Sequence, residues 1–357
     1  MSSLPEITKP TGTLSDPDSK NVMPLKLCQN LLDIELQASK TLTERAYTYF
    51  HSAAETLSSM EANGRDWNEV SFRPRVLRNV ARVDMTRRIM GQRGKLPFFI
   101  APMAMIRLAD QEGELALAKA AGTKGIPYSV STYASYSHEE IMRCVKADKL
   151  PHLQFFQLYV PKKQEKGIEL IQMARQLGFK ALLVTVDTPV VGRREEDDRY
   201  KARVDYQSGV DDSPRTLDTS EDNEIPVLRG VHSSPLNWED LKWIREAWGG
   251  AGPIILKGIQ CAEDAKLAFE MGVEGIYLSN HGGRQLDYAP SSIQTLLEIR
   301  RFCPEILGKI EIYLDGRIRR GTDILKAICL GATAVGVGRP FGAVRAIECE
   351  PHLLATC

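Results

Sequence analysis

The sequence predicts an α/β fold, a (β/α)8 TIM barrel that follows an N-terminal helical segment and has a long loop after its fourth strand. Between residues 97 and 347, eight short apolar runs typical of buried strands alternate with segments typical of helices. Such alternation indicates a parallel sheet covered on both faces, and eight repeats is the number that closes a barrel. A doubly wound open sheet is the alternative, but no Gly-x-Gly-x-x-Gly motif follows the first run, which argues against it.

The domain organisation follows from where this alternation begins. Residues 1–25 are polar, with several Pro, Ser and Asp, and predict a disordered arm. Residues 26–90 are predicted to form the helical segment, and residues 91–350 are predicted to form the barrel. We expect the two to form a single domain, residues 26–350.

The strands are predicted from the apolar runs at residues 97–102, 127–131, 155–160, 181–186, 253–257, 275–278, 309–314 and 334–337. The helices that follow them are predicted at residues 112–124, 137–145, 165–177, from 237 onward, 262–271, 291–301, 323–330 and 341–347. Capping residues support several of the starts: Ser137 with Glu140 forms a capping box, and Asn237 is a favourable N-cap. In the helical segment, Thr41 followed by Glu44 resembles a second capping box.

An insertion follows the fourth strand. Asp187 and Lys257, at the ends of strands four and five, are 70 residues apart, whereas Lys257 and His281 are 24 apart. About 40 extra residues, including the stretch 211–215, therefore lie above the fourth strand, which is long for a loop without secondary structure. We expect a lid or substrate gate, and a disordered surface insertion is the alternative.

Composition excludes several classes of function. The 357 residues are 43% hydrophobic and 26% charged, with 46 basic and 46 acidic side chains, so no basic excess favours nucleic acid or an anionic membrane. The sequence has no run of about 18 apolar residues that could span a membrane, and neither a signal peptide nor a peroxisomal Ser-Lys-Leu ending. Seven cysteines form no Cys-x-x-Cys pair. We therefore expect a cytoplasmic protein with reduced thiols and no metal site.

Polar residues cluster at the carboxyl ends of the predicted strands, the face on which barrels build their active sites. This set is Pro102, Met103, Ala104, Ser131, Gln157, Tyr159, Thr185, Asp187, Lys257, His281, Arg284, Asp315, Arg319, Gly338 and Arg339. The segments 315–321 and 336–340, which follow strands seven and eight, carry glycines and arginines. That is the usual place for a phosphate in this fold, with a plain turn as the alternative.

The most informative stretch is Ser-Asn-His-Gly-Gly-Arg-Gln-Leu-Asp-Tyr at residues 279–288. Its two glycines permit a sharp turn or a close approach to a ligand. His281 can take or give a proton near neutral pH, and Arg284 offers a fork of donors that matches a carboxylate. A base and an anion clamp on one loop suggest proton abstraction beside a bound acid, and a polar loop with a capping histidine is the alternative.

Taken together, these motifs resemble the FMN-dependent α-hydroxy-acid oxidases and dehydrogenases, the glycolate oxidase-like and lactate oxidase-like flavoenzymes. The resemblance covers residues 30 to 345, and the stretch at 279–287 is the family's signature. Four further segments agree in order and spacing: residues 156–159, 185–189 with 192–195, 257–258 and 320–323. The resemblance implies a bound FMN and an enzyme that oxidises the α-carbon of an L-2-hydroxy acid to a 2-oxo acid. Electrons would then pass to O2 or another acceptor.

The resemblance also implies roles for individual residues. His281 would be the base, Asp187 would hold its imidazole, and Tyr159 would bond the substrate hydroxyl. The substrate-binding set would be Tyr49, Tyr159, Arg194, His281 and Arg284. Lys257 would lie at the flavin N1 edge and Asp315 at the ribityl hydroxyls. The complete cofactor-binding set would be Pro102, Met103, Ala104, Ser131, Gln157, Tyr159, Thr185, Lys257, Ser279, Asp315, Gly316, Arg317, Ile318, Arg319, Gly338 and Arg339.

Departures from the family pattern leave two other functions open. Arg317 replaces the second Gly of a usual Asp-Gly-Gly, Tyr133 stands where glycolate-type enzymes often place Trp, and the sequence ends at Cys357, earlier than is common. One alternative is a relative of a specialised biosynthetic pathway that acts on a bulkier hydroxy acid or a cyclic α-amino acid. The other is an inactive barrel with a binding role. The family also suggests a homo-oligomer, a homotetramer by its usual habit.

Overall fold

The structure is a computed structural model that describes residues 23, 25–208, 232–233 and 235–345. Eight parallel strands form one closed barrel in chain order, from β3 round to β10 and back to β3, which confirms the predicted (β/α)8 fold. The strands are β3 (Phe98–Ile100), β4 (Tyr128–Ser131), β5 (Gln154–Tyr159), β6 (Leu182–Thr185), β7 (Ile254–Ile259), β8 (Gly275–Leu278), β9 (Glu311–Leu314) and β10 (Ala334–Val337).

The helices around the barrel are α4 (Gly113–Lys124), α5 (His138–Ala147), α6 (Gln164–Leu177), α7 (Glu195–Gln207), α8 (Leu241–Trp248), α9 (Ala262–Glu270), α10 (Ser292–Phe302), α11 (Gly321–Cys329) and α12 (Arg339–Arg345). All except α7 lie within a few residues of a predicted helix. The Ser137–Glu140 capping box is present, and Asn237 caps a short 3-10 turn before α8. Helix α7 lies in the insertion and was not predicted, while residues 211–215 lie outside the described part. Every helix in the described residues is too short or too polar to cross a membrane.

The N-terminal segment folds as three helices, α1 (Leu31–Thr41), α2 (Glu44–His51) and α3 (Ser58–Asn68). The predicted capping box at Thr41 is wrong. Thr41 is the last residue of α1, and Thr43 caps α2 by accepting a hydrogen bond from the Ala46 N–H at 3.3 Å. The cause is the extended backbone of Leu42, which separates two helices that the sequence pattern had joined. Most of the predicted arm, residues 1–25, lies outside the described residues, and Leu25 begins a 3-10 turn.

A hairpin that the sequence analysis missed closes the amino-terminal end of the barrel. Its strands are β1 (Arg87–Ile89) and β2 (Gln92–Gly94). Ile89 and Met90 are fully buried in the barrel interior, and the Met90 N–H donates to the Tyr313 hydroxyl at 2.7 Å. Burial of these side chains fills the lower barrel and stabilises the fold by about 2 kcal/mol for each. The carboxyl ends of the strands, at the opposite end of the barrel, remain open and can form a site.

The register of the barrel brings the predicted site residues to one level. Tyr159 pairs with Thr185, Thr185 with Lys257, and Lys257 with Tyr277 on four neighbouring strands. Because parallel strands carry their carboxyl ends to the same face, the side chains beyond these pairs meet around a single opening.

Candidate active site

A cavity opens at the carboxyl ends of the strands, with about 1300 Å³ of empty space when its solvent-filled mouth is included. Of the predicted site residues, those that line it are Tyr49, Pro102, Met103, Ala104, Ser131, Tyr159, Arg194, Lys257, His281, Arg284, Asp315, Gly316, Arg317, Ile318, Arg319, Gly338 and Arg339. The remaining four, Gln157, Thr185, Asp187 and Ser279, are not among the lining residues. They support it from behind: Gln157 donates to Thr185 at 2.8 Å, and the Ser279 hydroxyl accepts from the His281 N–H at 3.0 Å.

His281 is held in the cavity by an unusual backbone turn. His281 has a φ of 59°, and Gly282 and Gly283 continue the left-handed turn with φ of 66° and 78°. A side chain at Gly283 would be excluded, since a Cβ there would lie 2.6 Å from the Met60 nitrogen of α3. The turn therefore needs both glycine's backbone freedom and its lack of a side chain.

The His281 ring is fixed at both nitrogens. Nδ1 lies 3.0 and 3.1 Å from the two carboxylate oxygens of Asp187, and Nε2 lies 3.0 Å from the Tyr159 hydroxyl. A carboxylate can only accept, so Nδ1 carries the proton and Nε2 is the basic nitrogen. Tyr159 then donates its O–H to Nε2. Burial, reinforced by the Asp187 charge, raises the pKa of Tyr159, so it remains a phenol.

The surroundings of His281 and Asp187 keep the imidazole neutral and the buried carboxylate ionised. Burial alone would raise the pKa of Asp187, but His281 and the Lys257 ammonium, whose Nζ is 4.0 Å away, lower it to about 2. Burial lowers the pKa of His281, with Asp187 opposing and Lys257 and Arg284 adding to the effect. Near neutral pH the imidazole is therefore uncharged and ready to accept a proton, and the anion behind it can stabilise the resulting cation.

Two arginines form the anion-binding side of the cavity. Arg284 Nη1 donates to the Tyr49 and Ser52 carbonyls at 2.9 and 2.6 Å, and its guanidinium lies 5.3 Å from the centre of the Tyr49 ring. Arg194, which directly precedes α7, has a buried Nε without a hydrogen-bond partner in the described part of the chain. An unpaired buried donor is costly, so this side of the cavity suits a bound carboxylate.

The other side of the cavity fits a phosphate-bearing cofactor. Arg317, Arg319 and Arg339 all line it, and the buried Asp315 Oδ1 has no hydrogen-bond partner in the described residues, which leaves it free for a ligand hydroxyl. Burial, with Arg319 next in effect, lowers the pKa of Arg339 to about 10. Clustered guanidinium groups with few counter-charges suit a phosphate dianion.

These arginines are also engaged with protein groups. Arg339 donates to the Phe50 carbonyl at 2.8 Å and the Gly282 carbonyl at 3.1 Å, so it joins the end of α2 to the His281 turn. Arg319 Nε donates to Glu35 at 3.0 Å. Part of their donor capacity thus holds the walls of the site together.

Arg317 occupies the position where the family usually has glycine. Its φ of 58° is left-handed. This conformation suits glycine and costs a residue with a side chain about 1 kcal/mol. The side chain runs across α3, where a Cβ on Gly64 would lie 2.7 Å from Arg317 Cδ. The glycine at 64 therefore makes room for the arginine at 317.

Several residues of the cavity wall were not in the predicted site set, and Tyr133 and His232 are two of them. The His232 ring stacks on Tyr159 with centroids 4.5 Å apart, and its Nε2 lies 3.1 Å from the Tyr133 hydroxyl. Burial lowers the pKa of His232 to about 4, so it is neutral. Nothing in the local sequence marks His232, because it lies in the insertion without periodicity or motif. Tyr133 is marked by its position two residues after the end of a predicted strand and by the resemblance, which places it where glycolate-type enzymes often have Trp.

Comparison with known proteins agrees with this geometry. The chain is 38% identical over 318 residues to glycolate oxidase 3 of Arabidopsis thaliana, covering 87% of this chain and 83% of that protein. It is 37% identical over 321 residues to the L-lactate dehydrogenase (cytochrome) of Wickerhamomyces anomalus, covering 89% of this chain and 54% of that protein.

Solved structures show the same relationship. The flavin-binding domain of baker's yeast flavocytochrome b2 superposes with a TM-score of 0.80 at 34% identity, over 92% of this chain and 82% of that one. A mandelate oxidase variant solved with (S)-mandelic acid gives a TM-score of 0.75 at 34% identity, over 90% of this chain and 88% of the other. A sequence model of the FMN-dependent dehydrogenases matches residues 38–349. The predicted enzyme class and FMN cofactor are thereby confirmed, and the chain belongs to the FMN-dependent dehydrogenase family.

Proposed function

We propose that this protein oxidises the α-carbon of an L-2-hydroxy acid to the 2-oxo acid. The observation that carries the proposal is the neutral His281 imidazole between the buried Asp187 carboxylate and the open cavity. The names of its relatives, glycolate oxidase, L-lactate dehydrogenase and mandelate oxidase, all refer to 2-hydroxy acids. The intact base and its anion argue against an inactive barrel.

The arginines on one side of the cavity would bind and orient the substrate. Arg194 and Arg284 would hold the substrate carboxylate, with Tyr49 beside them. Nη1 of Arg284 is committed to the end of α2, so its position is fixed before the substrate arrives. A preformed clamp of this kind reduces the ordering that binding requires.

The residues on the opposite side of the cavity would carry out the proton transfer. His281 Nε2 accepts the proton that leaves as the α-carbon is oxidised, and Asp187, bonded to Nδ1, stabilises the imidazolium. The Tyr159 O–H, which lies 3.0 Å from His281 Nε2, would donate a hydrogen bond to the substrate oxygen that becomes the carbonyl. FMN, when bound, would supply the acceptor for the two electrons and the second hydrogen, and the Lys257 ammonium adds positive charge next to its binding site.

The finer features of the function belong to the same proposal. The electron acceptor is O2, as the resemblance to glycolate oxidases suggests. A homotetramer is supported by exposed apolar side chains in the extended segment before the barrel: Phe72, Val76, Leu77, Val80, Val83 and Met85. Apolar patches of this kind usually mark interfaces. A cytoplasmic location is supported by the free thiols of Cys144, Cys261, Cys303 and Cys329.

The experiment is anaerobic reduction of the purified protein. We expect FMN absorbance that bleaches with one or more of glycolate, L-lactate, L-mandelate and longer 2-hydroxy acids; a cyclic α-amino acid is included for comparison. His281→Ala should keep its FMN and stop bleaching. His152→Ala, on the opposite end of the barrel, is the control and should bleach as the wild type does. Bleaching by His281→Ala would remove His281 as the base, and a colourless protein that takes up no FMN would refute the proposal.

A further inference from the structure

A buried tyrosine, Tyr277, lies beneath the cofactor side of the cavity. It is the middle of β8 and is fully buried. Its ring packs edge-on against Phe99 and Tyr313, with centroids 5.4 and 6.5 Å apart, which places it in the barrel interior. The Lys257 ammonium lies 5.4 Å from the centre of the same ring, a distance typical of a cation–π contact. Tyr277 thus supports a residue that lines the cavity.

The hydroxyl of Tyr277 reaches across the barrel to β10. A Cβ on Gly336 would lie 2.0 Å from that hydroxyl oxygen and 2.9 Å from Cζ. Any residue larger than glycine at 336 would therefore displace the tyrosine. Since Gly336 itself lines the cavity, the hydroxyl lies directly under the cavity floor.

The same hydroxyl interacts with the Asp315 carboxylate. Burial, with the Asp315 carboxylate next in effect, raises the pKa of Tyr277 well above its usual value, so the group stays an O–H. Apart from this interaction, Tyr277 Oη and Asp315 Oδ1 are buried without a hydrogen-bond partner in the described residues. By contrast, the hydroxyl of Tyr313 accepts from the Met90 N–H and donates to Glu311 at 2.6 Å.

We propose that Tyr277 is a cofactor-positioning residue: its hydroxyl orients the Asp315 carboxylate toward a ribityl hydroxyl of FMN, and its ring holds Lys257 in place. Asp315 lines the cavity, whereas Tyr277 is buried beneath it, so the carboxylate faces the ligand and the phenol supports it from below. A buried carboxylate oxygen beside a ligand cavity is expected to gain a hydrogen bond from the ligand. The inference rests on the family's cofactor and not on which acid is oxidised.

The test is flavin affinity, measured on the apoprotein by quenching of flavin fluorescence. Tyr277→Phe should bind FMN about tenfold more weakly, the loss expected for one hydrogen bond. Tyr313→Phe is the matched control: it removes a hydroxyl from the same barrel interior, at the far end. It should lower the melting temperature of the apoprotein and leave FMN affinity within about twofold.

A second measurement separates a change in the ribityl contact from general loosening of the barrel. Lumiflavin lacks the ribityl chain, so the ratio of riboflavin to lumiflavin affinity reports contacts to that chain alone. The ratio should fall about tenfold in Tyr277→Phe and stay unchanged in Tyr313→Phe. Wild-type FMN affinity in Tyr277→Phe, or an unchanged ratio, would overturn the proposal. Should Tyr277→Phe fail to fold, Asp315→Asn in an otherwise native chain gives the same readout, and an unchanged ratio there also counts against the shared contact.

Discussion

Replacing Asp187 by asparagine removes the negative charge beside His281 and keeps the shape of the side chain at position 187. The carboxylate lies 3.0 Å from His281 Nδ1 and 4.0 Å from Lys257 Nζ, and these two groups lower its pKa from 3.8 to about 2. At 1.36 kcal/mol per pKa unit, this corresponds to about 2 kcal/mol of net stabilisation, or roughly 30-fold in rate. Because burial opposes the shift, the attraction itself is larger. We therefore expect flavin reduction to slow on the order of 10²-fold.

The assay is anaerobic stopped-flow bleaching of FMN, using the 2-hydroxy acid that reduces the wild type fastest, with FMN content measured by absorbance. Asp187 raises the pKa of His281. In the variant, the loss of flavin-reduction rate at acid pH should therefore begin at a lower pH than in the wild type. Asp66→Asn, another buried carboxylate that pairs with Arg65 and Ser291, is the control and should reduce FMN at the wild-type rate. A full complement of FMN with less than a fivefold loss in rate would refute the role of the charge.

Three further predictions follow from the same geometry. The wild-type kcat/KM should be constant near neutrality and fall only below pH 6.5, since burial lowers the pKa of His281 and only its neutral form accepts a proton; an acid limb above pH 6.5 would contradict this. His232→Ala should raise kcat/KM for 2-hydroxy acids with longer apolar side chains by about tenfold relative to L-lactate, because His232 lines both the active-site cavity and a second, largely apolar one. Steady-state kinetics with a chain-length series measures it, and an unchanged preference would show that His232 is no barrier. Arg317→Gly should raise the free energy of unfolding of the apoprotein by about 1 kcal/mol, because the residue has a left-handed φ, while weakening FMN binding by loss of a charge. Urea denaturation and FMN titration measure the two effects, and a less stable apoprotein would show that packing on Gly64 outweighs the strain.

The barrel and the residues at its strand tips were predictable from the sequence because their signals are local. A buried parallel strand appears as a short apolar run, and its carboxyl end is marked where polar residues such as Gln157 or Lys257 begin. Once eight such runs close into a barrel, their ends must share one face. The cavity lining follows from that topology without knowledge of any single contact.

The boundaries and the supporting contacts were less predictable. Thr41 and Thr43 offer the same capping chemistry two residues apart, and the extended backbone of Leu42 decides between them. The hairpin of β1 and β2 has strands of three residues each, too short to show periodicity. Its burial depends on a barrel that closes around it.

By itself the sequence determined the fold class, the family and most of the side chains that line the cavity, because each depends on short-range pattern. Only the tertiary structure decided how those side chains are used. Arg284 and Arg339 hold the end of α2, His232 reaches Tyr133, and Tyr277 fills the space that Gly336 leaves. The partners in each contact are from 59 to 289 residues apart in the chain. Such contacts are set by packing in three dimensions, which leaves no trace in the local order of residues.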